Sequence, residues 1–254
     1  MAQTIDQVIS ELDDIIEWCR QNNSRMGYFP ALYRKVTVEV QQGILQGRFE
    51  DGPRMERLDV LFANRYIDAF RAYRSGKPLT SSWDVSFAST RRRRLIVLQH
   101  LLLGMNAHIN LDLGIAAAQT SPGDQLPRLR KDFNTINEIL SSLVDEVQRE
   151  LGQVWPGLRI LLSFVRKTDD IIVDFSMRRA RDAAWKVAEE LAPISEAEQK
   201  GVIKKLDQKT EGLAKVVLSP GGFISFPALM AIRLTERGSV RQIIDLLNST
   251  LGRQ

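Results

Sequence analysis

LIVLQHLLLGMNAHINLDLGIAAAQ, Leu95 to Gln119, is the stretch that decides the fold. It is apolar nearly all round when wound as a helix, which marks a helix surrounded by other helices rather than one lying on a surface. A helix is therefore expected from about residue 91 to 119, at the centre of a bundle. Yet the same stretch carries Gln99, His100, Asn106, His108, Asn110 and Asp112. Each such group costs about 1–3 kcal/mol if buried without a hydrogen bond, so each must find a partner.

Outward from this segment, helix punctuation is frequent and strand alternation scarce. Thr4-Ile5-Asp6-Gln7 is a capping-box pattern, and Ile5, Val8, Leu12, Ile15, Ile16 and Cys19 follow at helical spacing. Pro30 and Gly47 frame a second helix, in which the β-branched run Val36-Thr37-Val38 is a weak point. Pro53 to Arg74 is a third, and Ser81 to Ser89 a short fourth. Beyond the central helix, further helices are read from Leu126-Pro127 to near Gly152, over Leu158–Phe164 and over Asp169–Leu191. Another follows Ser195-Glu196-Ala197-Glu198, and Ser219-Pro220-Gly221-Gly222 is the clearest break. A last pair spans about Phe226–Thr235 and Val240–Leu251. The expected architecture is all-α: one multi-helix bundle domain over residues 1–254, with 223–254 reading as a C-terminal helical extension.

Composition narrows the function classes. With 44% hydrophobic and 26% charged residues the chain has ordinary globular usage. The 35 basic and 31 acidic residues are spread evenly, so nucleic acid is not expected as a partner. The cluster Arg91 to Arg94 reads as a solvated helix entry. Four cations there oppose the helix dipole, so something acidic should sit nearby. A single cysteine, Cys19, allows no disulfide framework and fits a reducing, cytoplasmic setting. The N-terminus lacks a secretory pattern. The most apolar run, Leu95 to Met105, is short and interrupted by Gln99 and His100, so no membrane span is expected from it. Gly-rich phosphate loops, His-Glu-x-x-His and Gly-x-Ser-x-Gly are absent, which disfavours nucleotide enzymes and serine hydrolases.

The chemistry is sought on the central helix. His108 and Asp112 are four apart, so both emerge on one face, within reach of each other or of one cation. Three readings stay open: a satisfied polar knot that holds the helix in register, ligation of a divalent metal, or metal-free acid/base or ligand contact. His100 lies two turns earlier, roughly 12 Å along the axis, and cannot easily join the same ion. With two histidines in the chain, any metal site must lean on carboxylates, with Asp132 as the third ligand considered. A second constellation, Asp174, Arg178, Arg181, Asp182 and Trp185, is either an exposed ladder of ion pairs or the lining of a polar site. Asn106, Asp59, Asp68, Tyr66 and Trp185 are candidates for a ligand pocket. Tyr28, Phe29, Tyr33, Trp83 and Phe87 read as core or pocket wall. The expectation is an enzyme working on a small, largely apolar substrate, with His108, Asp112, His100, Asp182 and Arg178 as catalytic candidates. The rival is a non-catalytic helical binding or scaffold protein. Oligomeric state is left open.

The blocks Arg25 to Tyr33, Arg57 to Tyr66 and above all Leu98 to Leu113, with its His-Ile-Asn-Leu-Asp-Leu core, resemble the uncharacterised bacterial family known as domain of unknown function 5995. The likeness runs from about Thr4 past Trp185 and implies a helical fold without supplying a reaction. Gly104, His108 and Asp112 also resemble the Leu-Gly-x-x-x-His-x-x-x-Asp-Leu-like helix of the zinc-dependent phospholipase C and P1-nuclease group. The further histidines and the N-terminal tryptophan of that group are missing, so the resemblance implies at most a reduced site.

Overall fold

Thr4 opens the first helix, its hydroxyl accepting from the Gln7 N–H at 3.3 Å, and α1 runs Ile5–Gln21 with Val8, Leu12, Ile16 and Cys19 turned inward. The computed structural model describes residues 1–137, 139–140, 177–219, 230 and 233–249. After a single 3-10 turn, α2 spans Tyr28–Leu45. The Val36-Thr37-Val38 run stays helical because Thr37 is fully buried and its hydroxyl is satisfied by the Tyr33 carbonyl one turn back, at 3.2 Å. Asp51 caps α3, Gly52–Arg74, by accepting from the Arg54 N–H at 2.9 Å, and α4 covers Ser81–Ser89.

The central helix comes in three windings. It is α-helical over Val97–Met105 (α5), π-helical over Asn106–Leu113, and α-helical again over Gly114–Thr120 (α6). Two expectations need correction here. The helix starts at Val97 rather than 91, because Arg91–Arg94 lie exposed in turns before it. And its middle has i→i+5 hydrogen bonding, a winding that local sequence rules do not register. Taken whole, Val97–Thr120 is long and apolar enough to cross a membrane by length and composition, with mean hydropathy 1.3, but 83% of that window is buried inside the bundle. Residues 126–137 form α7, followed among the described residues by α8 (Met177–Leu191), α9 (Glu196–Leu218) and α10 (Val240–Asn248). Ser195 donates both its N–H and its hydroxyl to the Glu198 carboxylate at the start of α9, and Ser239 and Gln242 bond reciprocally at the start of α10. The helices read from sequence over 158–164, most of 226–235 and the stretch 141–152 fall outside the described residues, as do Asp174 and Pro220 to Gly222.

The described residues contain helices and no strand, an all-α bundle. Two apolar cores sit side by side. One is built from α1, α2, α4, α5, α10 and part of α3, with Leu12, Tyr66, Ile67 and Trp83 at its centre; the other joins α6, α7 and α8, with Leu129, Phe133 and Leu191 inside. Val36 and Phe62 touch both cores, and the central helix passes from the first at Ala107 to the second at Leu111. The π-helical winding thus falls at the seam. α10, within the stretch read as a C-terminal extension, packs on α1 and α2 and buries Ile244 and Leu247.

A candidate acid/base site at the seam of the two cores

His108 and Asp112 lie four apart within the π-helical winding and share one face of it. Both are buried, at 2% and 1% exposure. Asp112 is fully engaged: one carboxylate oxygen accepts from Arg65 Nε at 2.7 Å, the other from Trp83 Nε1 at 2.8 Å. These partners come from α3 and α4, so two helices hold a carboxylate borne by a third. Arg65 keeps about a quarter of its side chain exposed and is the route by which this network reaches solvent.

The imidazole is held differently. His108 Nδ1 lies 3.5 Å from Asp112 Oδ2, at the outer edge of hydrogen-bond reach, and neither ring nitrogen has a partner of sound geometry among the described residues. Aromatic rings enclose it. Phe62 stacks face to face at 3.5 Å between centroids and 9° between planes, and Tyr33 meets it edge-on at 4.5 Å. Phe29, Tyr66 and Trp83 complete the box at 5.5, 6.3 and 6.1 Å. Burial lowers the His108 pKa more than the nearby Asp112 carboxylate raises it, so the ring is neutral around neutral pH. Gly104 is required behind this box, since a Cβ there would come within 2.6 Å of Phe29.

Two further polar groups next to the box are buried: Asp59 Oδ2, which has no hydrogen-bond partner among the described residues, and the Tyr33 hydroxyl, whose nearest polar neighbour on its own helix is Thr37. Asp59 sits close enough to Tyr33 that its charge helps raise the phenol, and burial pushes its own carboxyl up to about 7. Of the pocket residues read from sequence, Tyr66 is therefore beside His108, and Asp59 lies behind Tyr33. Asn106 serves α9 instead, donating to the Thr210 carbonyl at 2.9 Å while accepting from Asn110. Asp68 is half-buried on α3 and is not among the groups touching His108 or Asp112.

The remaining candidates go elsewhere. Asp132, the third metal ligand considered, is 1% exposed, but its oxygens accept from the Glu50 and Asp51 N–H groups and from Arg54. It fastens α7 to the start of α3. Among the described residues no three His, Cys, Asp or Glu side chains gather as metal ligands, and Asp112 already neutralises a guanidinium. The donor set does not fit a metal ion at His108. Arg178 and Asp182 lie exposed on the outer face of α8, so the solvent-facing alternative holds for them. The buried cation of that helix is Arg181, which donates to Asn137 Oδ1 at 2.7 Å and to the Phe133 carbonyl at 2.6 Å. Trp185 belongs to the second core, against Phe133, with its N–H on Glu189. His100 is apart from His108, its ring 5.8 Å from that of Tyr28.

Sequence reasoning missed Arg65 and Phe62 as partners of the central pair. Both lie on the third helix, Phe62 one turn from Asp59 and from Tyr66, and Arg65 next to Tyr66, but nothing in their spacing says which of its faces meets residues 108 and 112. A polar cleft of about 510 Å³ opens at a different place, between α1 and α10, lined by Asp13, Glu17, Arg20 and Asp245 among others, and holds none of the candidates.

Comparison with known proteins adds the family and nothing finer. No curated protein and no solved structure matches the chain, so the likeness to zinc-dependent phospholipases gains no support from them. A family model described as a family of unknown function does match, over residues 5–220, the span that carries Gly104, His108, Asp112, Arg65 and Trp83. The chain belongs to that family, DUF5995.

Proposed function

We propose that this protein binds a small, largely apolar molecule against His108 and acts on it by metal-free acid/base chemistry. One observation carries the reading: among the described residues the buried carboxylate has two well-formed donors, while the imidazole beside it has only a 3.5 Å approach to Asp112 at Nδ1 and no partner at Nε2, and Asp59 Oδ2 behind Tyr33 is buried without a partner. A polar knot serving packing alone would satisfy its members, because each buried orphan costs about 1–3 kcal/mol. Groups kept in that condition are suited to a partner that arrives from outside. Asp112, pinned by Arg65 and Trp83, favours the tautomer with the proton on Nδ1, which leaves the Nε2 lone pair as the base. Aromatic walls select an apolar body, and Arg65, part-exposed, is placed for a polar or anionic end. Phe62, itself half-buried, must swing off the imidazole for a ligand to enter.

A specific observation favours the second reading, a structural role: the Phe62 ring occupies the space over His108 at stacking distance. Access decides between them. The chain has only two histidines, so diethyl pyrocarbonate modification read by peptide mass spectrometry reports each one separately. We expect native protein to be carbethoxylated at His108, and Phe62→Ala to speed it. A His108 that stays unmodified in both folded proteins, and reacts only after unfolding, would sink the acid/base reading and leave the structural one.

A further inference from the structure

The first turn of the central helix holds a second concentration of polar groups. Val97 is the first residue of α5, and its N–H donates to Glu236 Oε1 at 2.8 Å, across 139 positions of chain. The other oxygen of Glu236 faces Arg233 at 3.3 Å. Arg233 Nε also donates to the Arg93 carbonyl at 3.0 Å, and Arg25 reaches the Thr90 carbonyl at 3.5 Å. Glu236 is the acidic group at this helix N-terminus, and among the described residues it is one carboxylate with the charges of two guanidiniums, Arg233 and Arg25, bearing on it. Positive charge is left in excess.

His100, one turn into the helix, is the independent sign that this corner expects a ligand. It is 5% exposed, and among the described residues neither of its ring nitrogens has a hydrogen-bond partner. Its charge is opposed first by burial and then by Arg25 and Arg233, which sit close to it, so it stays neutral and offers one N–H donor. Glu236 is a weak occupant, since burial pushes its carboxyl up to about 7 despite the Val97 N–H and the two arginines.

We propose that this corner is a binding site for a phosphomonoester or similar dianion, which displaces the Glu236 carboxylate from the Val97 N–H and the Arg25/Arg233 pair. A phosphate group meets the needs of the site: its oxygens accept from helix-terminal N–H groups and from guanidinium forks, and its second charge uses the excess that one carboxylate leaves. The His100 N–H becomes a further donor to it. This site is distinct from the His108 box and stands whether or not that box is catalytic.

Calorimetric titration with inorganic phosphate, at ionic strength held constant with sodium chloride, tests it. Glu236→Gln removes the competing charge and should bind phosphate about tenfold more tightly than the parent, or about 1.4 kcal/mol. The double variant Arg25→Gln/Arg233→Gln should lose the binding. Val97→Pro is the variant that spares the fold: proline is favoured at a first helical position, and Ile96 already has the extended backbone (φ −76, ψ 158) that a following proline requires. It removes the one N–H and should weaken phosphate binding severalfold in either background, which keeps the test open should Glu236→Gln fail to fold. Pelleting with phosphatidylcholine vesicles containing phosphatidic acid then separates the sources. Binding to these and not to pure phosphatidylcholine assigns a lipid headgroup, while phosphate binding without vesicle binding assigns a free phosphorylated molecule. Equal phosphate affinity in the parent and Glu236→Gln, or binding that survives the double arginine variant, overturns the proposal.

Discussion

Asp112→Asn is the sharpest probe of the seam between the cores. The carboxylate is 1% exposed and takes two donors, Arg65 Nε at 2.7 Å and Trp83 Nε1 at 2.8 Å. An amide of the same shape keeps one acceptor oxygen and presents an NH2 where the second acceptor was, so one donor is orphaned and the guanidinium loses its counter-charge. Breaking a buried ion pair from one side costs about 3–5 kcal/mol. Arg65 retains about a quarter of its exposure and can draw water on that side, which puts the loss at the lower end, about 3 kcal/mol. For a chain of this size each kcal/mol moves the melting temperature by about 2–4 °C, so a fall of about 6–12 °C is expected. Helical circular dichroism during thermal unfolding reads it directly. Trp83→Phe deletes the hydrogen bond and leaves a void where the larger indole was buried, and should cost about 2–4 kcal/mol; the double variant should fall short of the sum because both changes strike one network. A melting temperature within about 2 °C of the parent for Asp112→Asn would refute the claim that this carboxylate is held as described.

Asp59→Asn tests the second buried acid. Its native carboxyl is raised from the ordinary 3.8 to about 7 by burial, so its stabilising contribution is complete below about pH 4 and is lost as pH rises through about 7. The asparagine variant should therefore gain on the parent in urea midpoint between about pH 4.5 and about pH 8, and a difference that does not change with pH contradicts the assignment. Gly104→Ala drives a methyl into Phe29, with closest approach 2.6 Å, and should destabilise by about 1 kcal/mol net after the helix-propensity gain; a variant as stable as the parent means the box is loose. Gly201→Ala, exposed on α9 with open space around its Cβ position, should do the opposite and stabilise by about 0.5–1 kcal/mol in the same unfolding assay.

The ends of the helices were legible from sequence because capping is local. Thr4, Ser195 and the bounds of α3 needed only residues within a turn, and they stand where the pattern puts them, whereas the short fourth helix begins at Ser81 with Thr80, not Ser81, in the cap position. The burial of the segment around His108 was legible too, since an all-round apolar surface leaves a helix no side to give to water. Which polar groups meet inside was a different matter. Arg65 reaches Asp112 across 47 positions, Trp83 across 29, and Glu236 reaches Val97 across 139, pairings set by how whole helices pack. The π winding at the seam, the exposure of Arg178 and Asp182, and the diversion of Asp132 to the cap of α3 have the same origin. Local spacing determines that a segment is helical and which of its faces is apolar. Only the tertiary packing decides what faces that stripe, because burial of polar groups is settled by partners the neighbouring sequence does not contain.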